Sequence, residues 1–196
     1  MENGAQILNG LIQTRKFYQH VALLIRTAEE LLMKAGWESI GGRKSSNITS
    51  DYLHPERWIP RDIYRFYIES NEEQPGMNSN LIAYTGVLLD QENAWAGFTE
   101  PWVTCGVYNL HQEFQVINFN YWTWVRAALD DKHEPDGSFS EYDFSESEEE
   151  EDDELLYQAV MALPLVRITD SESLNQLIID PLLKKIAEIK QNEEEK

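Results

Sequence analysis

Three runs rich in β-branched and aromatic residues, Ile63 to Ile68, Leu81 to Leu89 and Trp102 to Leu110, follow one another with only short polar intervals between them. Those intervals carry Gly, Pro, Asn and Glu and are too short to house a crossover helix, which argues against a doubly wound parallel sheet, and a meander of antiparallel strands is expected. In the third run Val103, Cys105 and Val107 alternate with Trp102, Thr104, Gly106 and Tyr108, the pattern of a strand with one face on a core.

Helices flank this sheet in the sequence. Between Ala5 and Ala35 the apolar residues Ile7, Leu11, Tyr18, Val21, Ile25, Ala28, Leu32 and Ala35 keep one helical stripe, with Leu8, Ile12, Leu24 and Leu31 widening it and Gly36 placed as a stop. A helix of about 30 residues is about 45 Å long, longer than a domain of this size is wide, so the spacing predicts either a break near Gly10 or an overhang. At the other end, Thr169 and Glu172 have capping-box spacing ahead of Leu174, Leu177, Ile178, Leu182, Ile186 and Ile189, and Pro181 is expected to bend or divide that helix.

Other segments are less regular. Glu38 to Ser50, with Gly41-Gly42, reads as a loop, and Phe119 to Leu129 as a short helix capped by Asn118 or Asn120. Leu155 to Ile168 is apolar without a decisive period: its first half is compatible with helix and its second half with strand. The resulting expectation is a single α+β domain over residues 1–196: a mainly antiparallel sheet of about four strands, packed by long N-terminal and C-terminal helices segregated to one face.

Charge is distributed unevenly. Of 35 acidic residues 14 lie between Asp130 and Glu154 beside a single lysine, so this segment holds −13 of a net −19. With Pro135, Gly137, four serines and the run Glu148 to Glu154, it is expected to be a disordered loop inserted in the domain. The simplest role is a solvated tether. The functional alternative is docking on a basic partner, with Phe139, Tyr142 and Phe144 as anchors among the acids and Glu148, Glu149, Glu150, Glu151, Asp152 and Asp153 supplying charge. An EF-hand ligand pattern is absent, and direct nucleic-acid binding is not expected without clustered Lys and Arg.

Signatures of common chemistry are missing. No P-loop, dinucleotide fingerprint, H-E-x-x-H pair or G-x-S-x-G elbow occurs, and His20, His54, His111 and His133 lack ligand spacing, so no cofactor, metal or catalytic residue is assigned. The lone Cys105 cannot pair within the chain and falls mid-strand, where a buried thiol is inert. The N-terminus lacks a secretory pattern and no apolar run reaches membrane-span length, so a cytoplasmic location without membrane contact is expected, with Asn47-Ile48-Thr49 a chance glycosylation match.

Two segments are dense in recognition residues. Arg57, Arg61 and Arg65 with Trp58 can form an anion-binding fork with a stacking ring, or can simply pair with nearby carboxylates along the sheet edge. Trp95, Glu100 and Trp102 in the following link can complete an aromatic pocket or fold back on the core. The leading functional expectation is therefore a non-catalytic binding protein of the adaptor, inhibitor or immunity type that engages a basic surface. An enzyme or sensor for a small anionic or nucleotide-like ligand at the Arg/Trp segment is the alternative.

Overall fold

The computed structural model describes residues 2–45, 60, 62–70, 80–89, 100–110, 135–144 and 155–194, with backbone alone for 2–3, 41–45 and 193–194. In chain order the elements are helix α1 (Glu2–Lys34), strands β1 (Trp37–Ser45), β2 (Asp62–Glu69), β3 (Leu81–Leu88), β4 (Trp102–Leu110), β5 (Phe139–Asp143) and β6 (Leu155–Pro164), a 3-10 turn (Leu165–Arg167), helix α2 (Ser171–Leu174), a π turn (Asn175–Ile179) and helix α3 (Asp180–Glu194). The fold is α+β, and its strands form one antiparallel sheet ordered β1-β2-β3-β4-β6-β5.

Among the described residues six strands replace the expected four or so, and the additions have physical reasons. Glu38 to Ser50 reads as a loop because of Gly41-Gly42, yet its first part is β1, and the register shift between Ile40 and Lys44 places those glycines in a bulge. The acidic segment holds β5, whose Phe139–Asp143 pairs with Met161–Tyr157 of β6. Net charge there conceals a strand alternation. The helical option for the first half of Leu155 to Ile168 is likewise corrected: strand runs from Leu155 through Pro164.

Helix α1 passes through Gly10 without interruption, so its length is resolved as an overhang. Val21, Ile25, Ala28 and Leu32 are buried, whereas every residue from Gly4 to Lys16 is exposed. Gly36 ends the turn with φ 87°, a conformation an L side chain resists, and its carbonyl accepts from Ser70 at 2.7 Å.

The C-terminal helical stretch starts one residue later than the spacing predicts. Asp170, rather than Thr169, is the cap: its carboxylate accepts from the Ser173 amide at 2.8 Å while Ser173 Oγ takes the Asp170 amide at 3.0 Å. Pro181 is accommodated by the π turn immediately ahead of it, where Asp180 N–H bonds to the Asn175 carbonyl. The wider turn absorbs the proline at the start of α3 without severing the helix.

Both faces of the sheet are buried. Val103, Cys105 and Val107 join Tyr67, Ala83, Ala159 and Met161 beneath α1, α2 and α3. Tyr64, Phe66, Tyr84, Trp102, Tyr108 and Val160 fill the other side. The alternation expected for β4 holds, but all nine of its residues are buried, so the polar-out face is absent; Thr104 is satisfied there by donating to the Met161 carbonyl at 2.9 Å.

On that second face each of two tyrosines lies across a glycine of the next strand: Tyr64 opposite Gly86 and Tyr84 opposite Gly106. A Cβ on Gly86 would fall on the Tyr64 ring, and one on Gly106 would meet both the Tyr84 ring and the Ala159 carbonyl. The vacated space lets Tyr64, Phe66, Tyr84 and Tyr108 pack together, with centroids 6.2 Å apart for Tyr64 and Tyr84 and 5.4 Å for Tyr84 and Tyr108. Replacing Gly106 by Ala should destabilise the protein by about 2 to 3 kcal/mol in urea unfolding, because the carbonyl cannot move aside. Gly10→Ala, which meets nothing, should raise helical ellipticity and leave the unfolding midpoint unchanged.

Candidate functional site

The strand β5 lies at the end of the sheet order, next to β6 alone among the described strands. Its entry is a tight turn. Gly137 adopts φ 93° and donates its amide to the Ala162 carbonyl, while the Asp136 carboxylate accepts from the Ser138 amide at 2.7 Å and from its hydroxyl at 2.6 Å. Strand alternation then sorts the acidic segment by side. Phe139, Glu141 and Asp143 lie opposite Met161, Ala159 and Tyr157 and share the helix side; Ser140 and Tyr142 lie opposite Val160 and Gln158 on the other.

The aromatic residues named from the sequence are therefore half-buried supports of the edge. Phe139 packs against the core under the helices, and Tyr142 and Phe144 pack against the tyrosine face, their rings stacked at 6.4 Å and 20°. The acids alternate outward: Glu141 and Asp143 are exposed.

Glu141 is tied to the last helix. Lys185 on α3 donates to its Oε1 at 2.6 Å and also approaches Glu188 Oε2 at 3.4 Å; the Lys185 side chain is only 12% exposed. Tyr157 donates to Glu141 Oε2 at 2.5 Å. The hydrogen bonds from Lys185 and Tyr157 hold the Glu141 carboxyl below its usual range, and burial followed by the Glu141 carboxylate holds the Tyr157 hydroxyl firmly protonated. These groups line a cleft of about 480 Å³ with Asn80, Asn109, Asp143 and Asn192. Glu141, Asp143 and Glu188 set three negative charges against one lysine, so the cleft keeps acidic character and suits a cationic group better than an anion.

Chemically this arrangement binds and positions. Lys185 is held between two carboxylates and Tyr157 is pinned as a donor, a poor starting point for proton abstraction. Among the described residues no group of three His, Cys, Asp or Glu residues is placed to hold a metal ion. Cys105 is fully buried, and burial raises its thiol well above the ordinary range. No helix among them is long and apolar enough to cross a membrane.

Of the Arg/Trp candidates, Arg57, Trp58, Arg61 and Trp95 lie outside the described residues. Arg65 is on β2 facing the helices, with its guanidinium 2.7 Å from Glu29 Oε1 and 2.8 Å from Ser39 Oγ. Trp102 is buried on the opposite face, and Glu100 is half-buried just ahead of it. Arg65 and Trp102 are thus divided by the sheet, and Arg65 bonds a carboxylate from α1. The acids Glu148, Glu149, Glu150, Glu151, Asp152 and Asp153, and the segment 119–129, also fall outside the described residues. Sequence reasoning passed over Tyr157, Lys185 and Glu188. Only the Lys185/Glu188 pair had a signal, its i,i+3 spacing on a helix.

Comparison of the chain with protein-family models, with curated proteins and with solved structures finds no match.

Because the folded protein lowers the Glu141 proton affinity, its contribution to stability is present above the ordinary value of 4.5 and is lost as pH falls through the lowered one. Wild type should exceed Glu141→Gln in thermal stability at neutral pH by less than about 1 kcal/mol, given the half-exposed carboxylate. That difference should shrink as the pH falls below 4.5 and vanish once it has passed the lowered value in a thermal-melt series.

Proposed function

We propose that the protein is a non-catalytic binding module whose acidic β5 edge docks a basic segment of a partner protein. The observation that carries this reading is the position of β5: a strand at the end of the sheet order whose exposed residues, Glu141 and Asp143, are both acidic. The strand is continued in sequence by Glu146 and by the seven acids from Glu148 to Glu154. Exposed carboxylates on a firmly held strand select lysine and arginine over acidic competitors.

Support also comes from how firmly the edge is held. The turn at Asp136 to Ser138, the packing of Phe139, Tyr142 and Phe144, and the link from Glu141 to Lys185 pre-arrange the strand, so little ordering is needed when a partner arrives. The charge surrounding it favours fast, salt-sensitive encounter.

Deleting the whole acidic segment is an unsuitable test because it removes a strand of the sheet. Neutralising Glu148 to Glu154 as Gln and Asn leaves β5 in place. Titration with an extended peptide of alternating Lys and Thr should show at least tenfold weaker binding by that variant at low salt. Wild-type affinity should fall between 50 and 200 mM salt, conditions over which screening lengths shorten to about 7 Å. Equal binding of wild type and variant would contradict the proposal.

A further inference from the structure

Large apolar side chains are exposed at seven positions among the described residues, and four of them fall within six consecutive residues of α1: Ile7 (66%), Leu8 (59%), Leu11 (61%) and Ile12 (41%). They belong to the exposed stretch from Gly4 to Lys16, about 20 Å of helix beyond the body. A helix of that length is marginal in water on its own, and Gly4 and Gly10 weaken it further. Apolar clustering of this density marks a contact surface.

Helical spacing of four, three and four residues puts Gly4, Leu8, Leu11 and Arg15 along one line, with Ile7 and Ile12 flanking it. This line is self-complementary in one orientation. About a two-fold axis between positions 9 and 10, an antiparallel second helix sets Leu8 against Leu11, Leu11 against Leu8, and Arg15 against Gly4. The size match is favourable: nothing occupies the space where a Gly4 Cβ would stand, and the aliphatic stem of Arg15 can lie across it.

Charge favours the same orientation. Residues 4–16 contain Arg15 and Lys16 and no acid. Antiparallel alignment keeps the Arg15–Lys16 ends of the two copies apart, and it keeps the two acidic bodies at opposite ends of the pair. Parallel alignment would bring like ends and both bodies together.

We propose that the projecting part of α1, residues 4–16, is a homodimer contact formed by antiparallel pairing with the same segment of a second copy. The pairing buries on the order of 1,000 Å², near the lower limit of a specific interface, so a weak, concentration-dependent dimer is expected.

Sedimentation equilibrium of the full chain from about 1 to 200 μM, the range in which weak dimers form, tests this. The wild-type mass should climb from 22.8 kDa toward twice that value. The Leu8→Glu, Leu11→Glu double variant should stay monomeric throughout with an unchanged thermal midpoint, because both side chains are exposed beyond the body. A wild type that stays monomeric across the range, or a dimer that survives Leu8→Glu and Leu11→Glu, would overturn the proposal.

Discussion

The rest of the structure depends on the fit of tyrosine rings over glycines in the middle of the sheet. Tyr64 lies opposite Gly86 and Tyr84 opposite Gly106, and neither glycine could carry a side chain without striking a ring. A slip of one residue would move these rings to the helix side and leave the glycines beneath solvent-sized gaps. Register is consequently specified on both faces, by ring packing on one and by the aliphatic layer beneath α1, α2 and α3 on the other. Burial raises the hydroxyl pKa of Tyr84 and of Tyr108, so these rings remain neutral packing elements across the physiological range.

From this fixed centre the geometry is transmitted outward. The register of β4 on β6 sets that of β6 on β5, which brings Glu141 within reach of Tyr157 and Lys185. On the opposite side, β2 carries Arg65 under α1, where Glu29 and Ser39 hold it, while Lys190 of α3 pairs with Glu69 at the end of β2. Charged groups at the rim thus join helices to sheet, and the apolar layers do the main stabilising. The acidic edge is built into the domain by the same rules as any other strand.

Local pattern made some of this legible. The alternation of Val103, Cys105 and Val107, the stripe of α1 with its stop at Gly36, and the overhang implied by helix length all follow from spacing and elementary dimensions. What escaped was set by partners distant in sequence. Composition marks Phe139–Asp143 as disordered, but pairing with β6 gives its aromatics a core to cover. Gly41-Gly42 signals a turn and a bulge equally well, and only the neighbour β2 decides between them. Tyr157 and Lys185 lie 28 residues apart in sequence. Their meeting at Glu141 is a consequence of register and helix packing, to which no short-range signal points.

The most acidic part of the chain contains a strand secured to the sheet. Amide hydrogen exchange, resolved residue by residue at neutral pH, tests it directly. The amides of Phe139–Asp143 that face β6 should exchange slowly, together with their partners in Tyr157–Met161. Exchange of the whole of Phe139–Asp143 at the rate of a free peptide, with β6 still protected on its β4 side, would contradict it.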